Sequence, residues 1–423
     1  MQKQYPLYAG FARTDISPKE PRGMELNGMP RLFHGALGVM DPLYARACYL
    51  KAGKKACLIV ICDTVLIARM PPFRDDTPVE GIEEITGAIA KETGLNKENI
   101  HFAATHCHSS IGEVMETVPP FMRKVLARYQ IELKDKLIKL GLKAFKNRER
   151  VMMGHGSKEV KGIAGSRRVK LSDGLVVTGW GEGPTPPPGV RIVERGIKDD
   201  TLGAVIFKNM KGKCVGSIIN FNSHIHLYPM LYFSPELAGY TAALLDKKMP
   251  GSISVYTNGA EGDISLCANT PACPQDHGRM KALYRSEMKR LSGMLVETII
   301  KMSRSLEYRD KAEIHTARAV VKVKNSLNGL AEEKINAVTI NDLAFVFENE
   351  EIVVDYALQL KKRSPFKNTF VIGMEGYRNY YLTTDYQREE GGYEPKYMMG
   401  NGSLDRVVDS TVKILNKCKG RAK

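Results

Sequence analysis

The sequence predicts an α/β protein: mixed β-sheets flanked by helices, with two structurally similar halves, 1–160 and 161–423, inside one large domain. Three observations predict it. Apolar, β-branched runs alternate along the chain with stretches of helical spacing, the pattern of layered α/β folds. One hairpin plan occurs twice, at residues 41–67 and 199–227. And 423 residues, 43% hydrophobic and 26% charged, make a chain of ordinary globular composition, long enough for a large core.

Taken in order, "DPLYARACYLKAGKKACLIVICDTVLI" places two apolar runs on either side of the turn "KAGKK". "GIEEITGAIAKETG" sets Ile82, Ile85 and Ile89 on one helical face and stops at Gly94. "NIHFAATHCHSS" is the next strand and delivers polar residues at its end. Residues 119–145 open on prolines, which a first helical turn tolerates, and keep Phe121, Val125, Leu126, Tyr129, Leu133, Leu137 and Leu140 at helical spacing. The Pro-rich stretch 179–196, which holds Trp180, reads either as a flap over a site or as a stiff surface connection. The second hairpin turns at "NMKGK" and ends near His224; "SPELAGYTAALLDKK" then has a Ser-Pro-Glu helix start. "SISVYTNGAEGDIS" repeats the strand that delivers polar residues. A long helical stretch begins at "QDHGRMKAL", and the chain closes on a helix with Leu404, Val407, Val408 and Leu415 on one side.

Composition limits the function classes. The net charge of +15 with pI near 9.3 is spread along the chain, without a basic stripe or interleaved aromatics. That favours a solvated surface over nucleic-acid binding. No run approaches the ~20 apolar residues of a membrane span, and the first residues lack a signal-peptide core. The expectation is a cytoplasmic protein. The eight cysteines form no C-x-x-C pair and read as thiols, with a local Cys267–Cys273 bridge as the less favoured alternative.

Four stretches carry candidate chemistry. His106 and His108 in "ATHCHSS" are one residue apart, and His224 and His226 in "NSHIHL" repeat the spacing. On a strand that continues through Cys107 both members of the first pair face one side. Imidazole is the commonest metal ligand, and catalytic zinc takes about three protein ligands plus water. The pairs read equally as a metal site and as polar strand ends. Ser265 in "NGAEGDISL" sits in a tight turn beside Asp263, either as an activated nucleophile or as a turn serine capped by that aspartate. "FENEEIVVDYALQL" runs acidic residues into an amphipathic helix, where the dipole alone would place them. Residues 373–397 hold six tyrosines, which can bind a metal, donate to an oxyanion or simply line a surface loop.

The order of these pieces resembles one family. "GFARTDISP", "DPLYARA", "THCHSS", "SIINFNSH", "SPELAGY", "GDIS" and "YYLTT" follow one another as in the catalytic part of the neutral ceramidases, zinc-dependent amidases that cleave N-acylsphingosine, over residues 8–417. The resemblance implies one zinc ion per chain, bound by His106, His224, Glu351 and Tyr381. Glu350 is the fallback for the carboxylate, because the family's Pro-Gly-Glu is here Asn-Glu-Glu. It implies that His108 meets the scissile carbonyl or the attacking water, that Tyr393 bonds the substrate carbonyl, and that Arg167, with Arg168 behind it, lies near the site. Ser265 matches the serine that some accounts make the nucleophile, with Asp263 in the same turn; His226 is left as a bystander.

Cys107 stands where the family has threonine, which suggests a thiol beside the metal; "GDISL" lacks the family's following Pro-Asn. A single catalytic domain over 1–423 without a C-terminal immunoglobulin-like domain is expected. The reading is a zinc amidohydrolase acting on a small-molecule or lipid-like linear amide, and the departures point to a substrate smaller than ceramide. The alternatives are a serine or zinc esterase on a small substrate and a non-catalytic binding protein that keeps the fold.

Overall fold

Parity along the central strands decides which layer each residue joins. In the strand Tyr44–Ala52, Ala45, Ala47 and Tyr49 enter one core while Cys48 and Leu50 enter another. The same two-sided burial runs through its neighbours, so the large sheet is covered on both faces. The computed structural model describes residues 4–24, 26, 35–67, 81–111, 120–179, 186–227, 231–267, 277–324, 330–375, 381–397, 400 and 402–421.

The nine-stranded sheet has two arms. From its centre, Tyr5–Asp15 is followed outward by Tyr44–Ala52, Lys55–Cys62 and Ile100–Ala104. In the other direction Glu149–Glu159 is followed by Thr201–Asn209, Cys214–Phe221 and Ile253–Asn258. Lys311–Ala312 pairs beside Tyr5–Asp15. Each arm is an antiparallel run closed by one parallel strand. The helices α1 (Gly81–Thr93) and α3 (Glu236–Lys248) make the parallel crossovers. Both expected hairpins are present. The two histidine pairs, however, leave different positions of the shared plan: His106 follows the last strand of its arm, and His224 follows the second hairpin strand of the other.

Helices α1 and α2 (Pro120–Lys146) cover the first arm, with Ile85, Ile89, Leu133 and Leu137 on Ala45, Val60 and Phe102. Helices α3 and α4 (His277–Ser303) cover the second, with Leu237, Leu245, Tyr284 and Leu295 on Ala204, Ile219 and Tyr256. A four-stranded sheet, Ile314–Lys324, Leu330–Ile340, Leu343–Phe347 and Asn368–Ile372, packs on the opposite face. There Val338, Phe345 and Phe370 meet Leu50, Ile59 and Phe207. Its outer face carries α5 (Val354–Arg363) and α7 (Ser403–Arg421) through Val346, Val371, Tyr356, Leu360, Val407 and Leu415. The expected mixed sheets flanked by helices are thus stacked as four layers, helix, sheet, sheet, helix, each interface sealed by apolar burial.

Helix α6 (Asp385–Glu390) is short and starts on a capping box made by Thr384 and Gln387. Part of the stretch expected as loop, Ile192–Arg195, is a strand paired with Arg168–Leu171, because Ile192 is in register with Leu171. Trp180 and residues 180–185, on which the flap reading turned, lie outside the described residues, as does Cys273. Cys48, Cys57, Cys62, Cys107 and Cys214 carry thiols. Among the described residues no helix is long and apolar enough to cross a membrane.

Candidate metal centre

The site forms where both arms of the large sheet end and the segment after Leu343–Phe347 passes over them. The strand Ile100–Ala104 stops before the first histidine pair, so the expected strand alternation through Cys107 does not occur. His106 instead adopts a left-handed backbone, φ 55, unusual for a residue with a Cβ and a mark of local strain. This turn folds the rings of His106 and His108 edge to face, 4.7 Å apart. Cys107 points away from them: its Sγ donates to the Ser234 carbonyl at 2.9 Å and packs in the core under α3. The thiol beside the metal is therefore not found.

His224 arrives from the other arm, and its ring lies 5.0 Å from that of His106. The ligand nitrogens of His106, His108 and His224 lie within 4.8 Å of one another. Glu351 and Tyr381 are brought in together, because the two-residue strands Glu351–Ile352 and Tyr381–Leu382 pair in parallel with Glu351 opposite Tyr381. Glu351 Oε2 is 3.6 Å from His106 Nε2 and 3.1 Å from His224 Nε2. Gly262 makes this approach possible: a Cβ there would lie 2.9 Å from the Ile352 carbonyl carbon. Its own N–H donates to the Ile352 carbonyl at 2.8 Å.

Each of these two imidazoles is braced from behind. His106 Nδ1 donates to the Val65 carbonyl at 3.1 Å, and His224 Nδ1 to the Glu261 carbonyl at 2.6 Å. A ring that donates from Nδ1 to a carbonyl carries a lone pair at Nε2, the arrangement of metal-bound histidines. Two such lone pairs facing a carboxylate oxygen repel unless a cation lies between them, so the donor set fits a divalent metal. Glu351 Oε2 has no hydrogen-bond partner, nor does His108 Nε2. With no cation there, a proton takes that place: burial lowers His106 but the Glu351 carboxylate outweighs it and raises the imidazole, and the charge so held on His106 keeps the Glu351 carboxyl well below the usual carboxylate range against its own burial. Burial, with Arg167 adding to it, lowers His224 to about 4, which keeps its ring neutral and ligand-ready at pH 7. Burial and the three neighbouring imidazoles lower His108 in the same sense.

A buried charged tier supports the centre. Arg167 Nε donates to Glu394 Oε1 at 2.7 Å and Nη2 to the Tyr381 hydroxyl at 3.0 Å, while Nη1 stands 3.4 Å from His224 Nε2. Arg168 donates to Glu394 Oε2 at 3.0 Å. Tyr393 is 40% exposed; its ring lies 5.9 Å from that of Tyr381 and 5.4 Å from the Arg167 guanidinium carbon. Asp263 is turned to other work: it accepts the Val354 N–H at 2.8 Å and the Gln387 amide at 2.9 Å, fixing α5 and α6. Burial pushes its carboxyl up to about 7. Ser265 is buried on the strand Ile264–Leu266 opposite Gly165, and among the described residues no imidazole is hydrogen-bonded to it.

Three acidic residues in this tier escape sequence reasoning. Glu394 adjoins Tyr393 in "GGYEP", so the tyrosine was the available signal. Glu236 reads as an ordinary helix start, yet it is wholly buried. Glu261 is also wholly buried, neither carboxylate oxygen has a hydrogen-bond partner, and burial raises its carboxyl to about 8.

No protein-family model matches the chain, and no curated protein does. Solved structures do. The crystal structure of the neutral ceramidase from Pseudomonas aeruginosa superposes with a TM-score of 0.73 at 13% identity, covering 98% of this chain and 74% of that one. A ceramidase complexed with C2 gives 0.72 at 12% identity, covering 97% and 75%. With nearly the whole chain superposed, the chain has the fold of the neutral ceramidases.

Proposed function

We propose that the chain is a zinc-dependent hydrolase of a linear amide, acting on an N-acyl amide of small-molecule or lipid-like character. His106, His224, Glu351 and Tyr381 hold the one zinc ion. The observation that carries this reading is the convergence of two carbonyl-braced imidazole nitrogens on Glu351 Oε2. The superposed structures are ceramidases, which supports the amide as the bond attacked.

When bound, zinc supplies a Lewis acid that polarises a carbonyl and lowers the pKa of a water towards ~7. The remaining work falls to side chains. His108 is the third imidazole of the cluster, but its Nε2 is left for the substrate: it meets the scissile carbonyl oxygen or the attacking water. The Tyr393 hydroxyl donates to the same carbonyl from the exposed side. Arg167, fixed by Glu394, orients the Tyr381 hydroxyl. Ser265 orients the chain near His224 and does not attack.

The test is hydrolysis of a fluorogenic N-acyl amide before and after treatment with dipicolinate, followed by zinc. Activity should vanish and return. Ser265→Ala should keep activity within about tenfold, since no base is bonded to the hydroxyl to activate it. Indifference to the chelator, together with fluorophosphonate labelling of Ser265, would replace this reading with a serine esterase.

A further inference from the structure

We infer that Glu236 is a positioning residue that fixes the His108 ring; the inference rests on the reading that His108 meets the substrate. Glu236 opens α3, where an acidic side chain ordinarily turns back to its own helix dipole. Here it does not: α3 has no side-chain cap. The residue is 0% exposed and holds a left-handed backbone, φ 48. A glutamate is kept in that conformation only where surrounding structure demands it.

The carboxylate reaches across to the His108 turn. Oε2 accepts the His108 backbone N–H at 3.0 Å, and Oε1 accepts the Ser109 hydroxyl at 2.9 Å. The two segments are joined further by the Ser234 N–H donating to the Ser109 carbonyl at 2.9 Å and by the Cys107 thiol on the Ser234 carbonyl. A second residue near the carboxylate lies beside the ring. His226 Nδ1 lies 3.6 Å from Glu236 Oε1, and the His226 ring sits 5.1 Å from the His108 ring. One buried carboxylate therefore braces the His108 turn through the His108 N–H and the Ser109 hydroxyl. His226, left aside by the family resemblance, lies close to both that carboxylate and the His108 ring.

The test compares wild type with Glu236→Gln, Ser109→Ala, His108→Ala and the Glu236→Gln/His108→Ala pair. Glutamine keeps the shape but can accept only at one of its two polar atoms. Glu236→Gln should keep its zinc and its KM within about threefold, while kcat falls ~10- to 100-fold, the cost of misplacing a group by about an ångström. Ser109→Ala should show the same pattern at smaller size. The double variant should be no slower than His108→Ala alone, since both changes act through one ring. In histidine-labelled protein the His108 ring resonance, assigned by its loss in His108→Ala, should broaden or split in Glu236→Gln. An unchanged resonance with unchanged kcat, or a loss that multiplies that of His108→Ala, overturns the inference. Should the wild type hydrolyse no amide, the functional reading falls, and the resonance still decides the role of Glu236.

Discussion

His106→Ala and His224→Ala are each expected to abolish both zinc retention and amide hydrolysis. Each ring supplies one Nε2 lone pair, and each is fixed by a backbone carbonyl that alanine leaves without its donor. Losing even an outer hydrogen bond to a metal ligand typically costs 10–100-fold in affinity, so losing the ligand should cost more than ~100-fold. The remaining Glu351 carboxylate would then face a single imidazole. Dialysis against zinc followed by elemental analysis and an amide assay checks this. Full activity in either variant would contradict the assignment.

The largest effect on stability is expected from Glu394→Ala. Glu394 is 1% exposed and lies between Arg167 and Arg168, which are 1% and 5% exposed. Removing the carboxylate leaves two buried guanidiniums short of a counter-charge. Breaking a buried ion pair from one side typically costs ~3–5 kcal/mol. Arg168 keeps the Gln387 and Gly391 carbonyls and the half-exposed Glu390 carboxylate, which limits the loss on its side. Arg167 keeps its bond to the Tyr381 hydroxyl and its place 3.4 Å from His224 Nε2, but neither of these neutral groups replaces the charge of Glu394. Activity should therefore fall with stability, because Tyr381 loses its orientation. Denaturant unfolding of Glu394→Ala beside Glu394→Gln measures the effect. A change below about 0.5 kcal/mol, the size of an ordinary surface substitution, would contradict it.

The layers were legible in the sequence where burial imposes a period. Ile85 and Ile89 of α1, and Leu404, Val407, Val408 and Leu415 of α7, are all buried as their helical spacing requires. The stacking of two sheets was not legible, because face-to-face sheet contacts such as Phe345 and Phe370 on Leu50 and Phe207 join residues far apart in the chain. The site shows the same division. His106 and His224 stood out as paired histidines at strand ends. The reason offered for His106 and His108, strand alternation, gave way to a strained turn. Glu236 and Glu394 were hidden because an isolated glutamate reads as surface. Only the fold shows that these two are buried against His108 and the two arginines.

Elemental analysis of the purified wild-type chain tests the central claim most directly. About one zinc per chain, retained through dialysis and released by dipicolinate, is the predicted result. A chain that holds no metal after incubation with zinc would contradict the account, leaving the three imidazoles and Glu351 as a buried polar cluster without the chemistry assigned to them.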